Sequence, residues 1–319
     1  VAIIKWISEK LPLLILLVAV CTYFSPVYWQ VSTKVPSILL GVVIFFAGVS
    51  MNLEAIKGIH KKTKELVLVM CLKWTLTVAV SIALAHGFFS AQPEIAAGMI
   101  LAGTVPSATA ATVYTFLAGG NASLVVAASL LDVAISPVVT PLAMMGLAGQ
   151  QVAISFWDLL QSFVLIVVIP MGIGLLVQRG MDGFKDYSKV ATKLGSSLAL
   201  LLIVHTLIGS GKEAIASEVG LIPLVAGTTF LQVVIPMATA YFIAKKLRLE
   251  EEDARAALFQ VGLCNTALAA ILAFEFIGEL GTVAPIFNMI FNLSIGAWIA
   301  GWFNKKDLLE ENRLRKLPV

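Results

Sequence analysis

Apolar stretches of membrane-crossing length alternate in this chain with short loops, and the basic residues fall in every second loop. That pattern leaves few folds open. A spanning helix needs about 20 mainly apolar residues. Ten such segments are read at roughly 11–29, 35–51, 65–88, 94–118, 122–147, 155–178, 190–209, 219–244, 254–278 and 281–303. Lys and Arg favour the cytoplasmic side of a membrane. With both termini placed there, five basic groups share one face. They are Lys5 and Lys10; Lys57, Lys61, Lys62 and Lys64; Arg179, Lys185, Lys189 and Lys193; Lys245, Lys246, Arg248 and Arg255; and Lys305, Lys306, Arg313, Arg315 and Lys316. These are 19 of the 22 Lys and Arg residues. Lys34 and Lys212 fall on the other face, and Lys73 falls inside a span. Losing or merging one span would scatter the basic loops.

Composition agrees. The chain is 59% hydrophobic and 13% charged, against roughly 45–50% and 25% in soluble domains. The amphipathic piece 53–63 is expected at the membrane interface. Lys5, Glu9 and Lys10 precede the first span and no small-residue cleavage site follows it, so no cleavable signal is expected. Cys21, Cys71 and Cys264 lie in apolar spans without metal-ligand spacing, so no disulfide is expected. No nucleotide loop, metal constellation or nucleophile triad is readable. The chain is therefore not read as an enzyme, and no cofactor, nucleic acid or obligate protein partner is expected. The charged C-terminal residues read as a solvated helix end.

Five is odd, so spans 1–5 and 6–10 form two halves, about 1–150 and 151–319, of opposite orientation. Each half has an unusual polar stretch in its fourth span. In 94–118, Pro106 removes a backbone donor and clashes with the preceding turn. Ser107, Thr109 and Thr112 can re-satisfy the freed groups. In 254–278, Gly262 and Asn265 are the breakers, within Gln260-Val-Gly-Leu-Cys-Asn-Thr. Interrupted segments at matching positions of two inverted halves point to a transporter binding site. Half-helix ends carry partial charges of about half a unit, so two crossing broken helices offer both signs near the membrane midplane.

Lys73 and Asp132 are the ionisable groups deep inside spans, and such groups mark function by default. At 1.5 Å per residue both lie roughly 12–15 Å from the cytoplasmic end, which leaves an ion pair between them open. Val125, Ser129 and Asp132 share one helix face. The bland alternative is a static structural pair. His205 and His86 read as packing histidines, Glu275 and Glu279 as water-reaching, and Trp29, Trp302 and Tyr241 as interface anchors.

The stretches Gly98-Met-Ile-Leu-Ala-Gly-Thr-Val-Pro-Ser-Ala-Thr, Val261-Gly-Leu-Cys-Asn-Thr-Ala-Leu-Ala-Ala and Phe291-Asn-Leu-Ser-Ile-Gly resemble those of the bile acid:sodium symporter family. The resemblance covers nearly the whole chain. It implies an all-α membrane protein of ten transmembrane helices in two inverted five-helix repeats, with broken, crossing helices 4 and 9, an architecture shared with sodium/proton antiporters. Spans 1, 2, 6 and 7 (11–51 and 155–209) would form a panel, and 65–147 with 219–303 a core. Rocking of one against the other would carry a small organic anion, bile acids in animals and acids such as pantoate in bacterial relatives. By matching position, Thr109, Asn265 and Asn292 would line the substrate site.

The family's two sodium sites match poorly. A glutamate typical before Val-Gly in span 9 is here Gln260, and the glutamine two residues after that glycine is Cys264. A Ser-Asn pair after the span-4 motif is Ala111-Thr112, the span-5 hydroxyl positions are Val125 and Ser129, and a span-3 amide or histidine aligns with Lys73. Sodium wants hard oxygens and negative charge. The chain removes both and supplies an ammonium, which can stand in for a bound cation. Lys73, Thr112, Ser129, Asp132, Gln260 and Cys264 are thus the expected coupling residues. The expectation is a sodium-independent carrier in a bacterial inner membrane. It is either proton-coupled through Lys73 and Asp132, or a uniporter or exchanger with Lys73 as fixed charge; sodium is the less favoured ion. Rivals are a sodium-coupled symporter with one rebuilt site, a transport-inactive membrane sensor or interaction protein, and a channel.

Overall fold

The computed structural model describes residues 2–29, 32, 34–51, 53–56, 58–147, 154–180 and 184–314. Lys57, Arg315 and Lys316, counted above as basic cytoplasmic residues, lie outside the described residues. Among the described residues all regular structure is helical. In chain order the helices are α1 (Ala2–Phe24), α2 (Lys34–Ser50), α3 (Thr63–Leu72), α4 (Val78–Phe88), α5 (Pro93–Thr104), α6 (Thr109–Leu117), α7 (Ala122–Leu147), α8 (Phe156–Phe163), α9 (Ile169–Gly180), α10 (Phe184–Ser210), α11 (Lys212–Ser217), α12 (Ile222–Lys246), α13 (Glu251–Gly262), α14 (Thr266–Phe276) and α15 (Val283–Leu314). Single wide π turns, Lys73–Thr77 and Val164–Val168, join α3 to α4 and α8 to α9. Among the described residues, five continuous helical stretches are long and apolar enough to cross a membrane: Ile59–Phe88, Ala122–Gly146, Phe156–Arg179, Val219–Lys246 and Leu280–Leu309. Leu11–Phe24, Lys34–Ser50, Leu194–Ser210 and Thr266–Phe276 are shorter apolar helices.

The segment 53–63 forms two short 3-10 turns, Leu53–Ile56 and Ile59–Lys62, and both pack on α7. The tail does not stop at the end of the last apolar stretch: α15 carries its charged residues on to Leu314.

Two groups of helices are visible in the packing. α1, α10, α2 and α9 lie side by side in a row. Within it α2 and α9 approach closely because glycines face each other. A Cβ on Gly174 would stand 2.3 Å from the Phe45 carbonyl oxygen, and one on Gly48 2.7 Å from that of Met171. Small residues are what let membrane helix backbones meet. The remaining long helices gather around α5, α6, α13 and α14. The principal contacts between the groups fall on α7, which packs on α8, on α14, which packs on α2, α8 and α10, and on α15, which packs on α1. The main neighbours of α6 and α13 are α3, α7, α12, α15 and each other.

Candidate functional site

Two helix interruptions define the centre of the molecule. α5 ends at Thr104, and Val105 and Ala108 are extended before α6 begins. α13 ends at Gly262, Leu263 is extended, and α14 begins at Thr266. The two unwound strands pair antiparallel, with Ser107 opposite Cys264. Ala108 N–H donates to the Leu263 carbonyl at 2.9 Å, and Asn265 N–H to the Pro106 carbonyl at 2.8 Å. Unwound backbone inside a membrane protein must find partners, and here each break is the partner of the other.

Hydroxyls take up several of the helix-end carbonyls. Thr77 donates to the Val261 carbonyl at 2.8 Å, Thr104 to Leu101 at 3.1 Å, and Thr140 to Thr104. Asn265 caps α14: its Oδ1 accepts from Leu268 N–H at 3.3 Å. That fixes the amide orientation and leaves Nδ2 as an unused donor among the described contacts. Thr109 is exposed at the first turn of α6. Asn292 is buried, and its Nδ2 donates to the Cys264 carbonyl at 3.0 Å while its Oδ1 has no partner.

On the other flank lies a buried polar cluster. Lys73 is fully buried in the π turn, and its Nζ donates to Cys264 Sγ at 2.9 Å. Asp132 is equally buried. Its Oδ2 meets Ser107 N at 2.9 Å, Ser107 Oγ at 2.6 Å and Gln260 Nε2 at 3.2 Å. Ser129 donates to Gln260 Oε1 at 3.1 Å and lies 3.4 Å from Thr112 Oγ1. The six residues read from sequence as coupling residues thus gather around the crossing. Lys73 and Asp132 act on one another electrostatically, but they form no ion pair within 4.0 Å; each has taken a partner on the unwound strands instead.

Ser107 was read only as a backbone-satisfying hydroxyl, yet it is the hub. Its Oγ stands 2.6 Å from Asp132 Oδ2 and also 2.6 Å from the Gln260 carbonyl oxygen. A hydroxyl carries one hydrogen. A carbonyl carries none, so the single Ser107 hydrogen is shared between these two oxygens or serves one of them. A proton on Asp132 would turn both contacts into full hydrogen bonds, with Asp132 donating to Ser107 and Ser107 to Gln260, while Oδ2 also accepts from Ser107 N–H and Gln260 Nε2. Asp132 Oδ1 and Trp74 Nε1 are both buried without a hydrogen bond, and the indole acts on the carboxyl from beyond bonding distance. Trp74 had no sequence signal beyond its place next to Lys73.

His205 is a satisfied packing histidine: Nδ1 lies 2.8 Å from Thr22 Oγ1, and Nε2 accepts from Trp29 N–H at 3.0 Å. At the far ends of α12, α13 and α15 a charged network closes the bundle. Arg255 binds Asp307 through both terminal nitrogens at 2.5 and 2.9 Å, donates to the Ala118 carbonyl at 2.6 Å, and covers the Phe303 ring. Lys62 joins Glu250 and the buried Asp253 at 2.5 and 2.7 Å. These partners hold the Lys62 ammonium well above its ordinary range, with the Asp253 contact the largest cause.

Residues 37–218 match the model of the Sodium Bile acid symporter family. The chain belongs to that family. It is similar to an uncharacterised sodium-dependent transporter, YocS, of Bacillus subtilis (strain 168): 30% identical, over 89% of this chain and 87% of the relative. The uncharacterised protein YbaS of the same organism is 27% identical over 70% of this chain and 73% of its own length. A probable sodium/metabolite cotransporter of Arabidopsis thaliana chloroplasts, BASS1, is 23% identical over 82% of this chain and 65% of its own length. The symporter family is one of transporters, not enzymes, and its member here is an integral membrane protein rich in apolar helices.

Proposed function

We propose that this family member is a secondary carrier of a small organic anion, working by alternating access, with the proton as its coupling ion. Ten spans in two inverted halves would place both termini in the cytoplasm of a bacterial cell. The row α1, α10, α2 and α9 would be the panel, and the rest the core. Contacts between them fall on α14, the half-helix farther from the basic loops, on α7 where it meets α8, and on α15 where it meets α1. The cleft on the side of α6 and α13 would then be the open one, facing the cytoplasm.

The anion's place is at the crossing. The N-terminal ends of α6 and α14 direct partial positive charge there, and the free Nδ2 of Asn265 and the exposed Thr109 hydroxyl can donate to a carboxylate. Asn292 then supports the strand that carries Cys264. Lys73 supplies the positive charge that a bound metal ion would otherwise bring, held at the C-terminal end of α13 where cations are favoured.

The observation that supports the coupling assignment is the double contact of Ser107, which a proton on Asp132 would turn into two full hydrogen bonds. Protonated Asp132 and charged Lys73 leave the centre net positive, suited to an anion. Loss of the proton cancels that charge and releases the anion. A second reading, sodium coupling with one rebuilt site, draws on the family's description and the names of its relatives; Asp132 would then be the anionic ligand. Counterflow of labelled small carboxylates in proteoliposomes tests the carrier assignment. Saturable exchange that Asn265→Ala abolishes is expected. Flux linear in concentration and insensitive to that change would exclude a carrier.

A further inference from the structure

Of the two basic residues on the face away from the basic loops, Lys212 is engaged: its Nζ donates to the Ser25 carbonyl at 2.9 Å. Lys34 is not. Its ammonium has no hydrogen-bond or ion-pair partner among the described residues, although it acts on Glu275 through space. Lys34 and Glu275 line a cavity of about 580 Å3 between α2, the α8–α9 stretch and α14. This is within the usual volume range of specific ligand pockets, about 300–1,000 Å3.

The cavity is polar at one end only. Lys34, Ser37, Ser162 and Glu275 supply the polar groups. From there the walls are apolar: Ile38, Val42 and Phe45 on α2 face Leu165 and Ile173 across the groove. Ile38, Val42, Leu165 and Ile173 are 49–64% exposed. The depth can be read from the helix. Lys34 to Phe45 is eleven steps of 1.5 Å, roughly 16 Å, or about half the 30 Å hydrocarbon core of a bilayer. A polar mouth over an apolar groove one leaflet deep has the shape of a lipid, not of a soluble acid.

The charges specify which lipid. Lys34 and Glu275 are opposite in sign, each without a direct partner among the described residues, and together neutral. An anionic lipid would leave a surplus negative charge beside Glu275. A zwitterionic headgroup leaves none: phosphate on Lys34, with Ser37 and Ser162 as further donors, and ammonium on Glu275. We propose that this groove is a specific site for a zwitterionic phospholipid with a primary ammonium headgroup, one acyl chain lying along α2 and α9. The site bridges the helix row and α14, so its occupant touches both groups of helices. It does not rest on the transport assignment above.

The test is lipid binding to the purified, delipidated full chain, read by native mass spectrometry and by thermal shift. The probes are phosphatidylethanolamine and phosphatidylglycerol. Phosphatidylethanolamine is expected to bind tighter. Lys34→Gln and Glu275→Gln should each weaken it about tenfold, as loss of one charge-assisted contact implies, and Lys34→Arg should retain it. Phosphatidylglycerol should bind better, not worse, to Glu275→Gln. Equal binding of the two lipids, or binding unmoved by either neutral substitution, means ordinary annular lipid and overturns the site. Loss of phosphatidylethanolamine binding on Asn265→Ala, with Lys34→Gln silent, also overturns it. Transport that fails in all assays while the Lys34 and Glu275 effects persist leaves it standing.

Discussion

Replacing Asp132 by Asn separates exchange from energy coupling. Asparagine has the shape of the carboxylic acid and always supplies hydrogens, so it imitates protonated Asp132 beside Ser107 and Gln260. The cluster then stays in its anion-binding form on both sides of the membrane. One titrating carboxyl means one proton per anion. A pH difference of one unit is worth about 1.36 kcal/mol, a factor of ten. Wild-type protein in liposomes should therefore accumulate a monoanion about tenfold per unit of inward proton gradient. Asp132→Asn should hold the internal concentration equal to the external one while labelled exchange continues. Because one amide hydrogen bond is rearranged, its folding cost should stay near 1–3 kcal/mol. Tenfold accumulation by Asp132→Asn, at unchanged expression, would refute proton coupling at this residue.

Three further outcomes follow from the geometry. Lys73→Gln combined with Gln260→Glu removes the internal cation and restores a carboxylate, so sodium should then raise thermal stability. Saturation a hundredfold above the dissociation constant would give about 2.7 kcal/mol, and no sodium effect would mean that Lys73 does not stand in for the ion. A Cβ on residue 98 would lie 1.9 Å from the Gly281 carbonyl oxygen, a backbone clash that no rotamer relieves. Gly98→Ala should cost at least the 1–3 kcal/mol typical of overpacking, seen as a lowered melting temperature. Glu251 is raised by partial burial, but hydrogen bonds from Lys245, Tyr241 and Arg255 outweigh this and bring it from 4.5 down to about 2. A carboxylate depressed in the folded state stabilises above its unfolded value, and the benefit is lost as pH falls from 4.5 to about 2. Because the side chain is 34% exposed, screening reduces the effect to about 1 kcal/mol. Glu251→Gln should lack that component of acid destabilisation.

Helix positions were legible because each apolar stretch had to be long enough to satisfy its backbone in lipid. The interruption near Pro106 was legible for a covalent reason, a missing N–H. The one at Leu263 to Asn265 has no proline, and only its place in the second half drew attention. What sequence could not give was the pairing across the two breaks. A gapless reading puts Lys73 at a depth matching Asp132 and leaves an ion pair open; the π turn at Lys73–Thr77 is invisible to such counting, and Lys73 meets Cys264 instead. Ser107 looked like one of several hydroxyls, because its two oxygen neighbours come from residues 25 and 153 positions away. Asn265 illustrates a residue with two duties: one amide atom caps a helix, and only the other is left for a ligand.

Under the proposed mechanism the proton takes sodium's part at this crossing. Uptake of a labelled carboxylate by the wild-type protein in liposomes, with sodium and pH gradients imposed one at a time, addresses it most directly. Accumulation driven by an inward proton gradient in sodium-free buffer is the predicted result. Accumulation that requires a sodium gradient and ignores pH would contradict it.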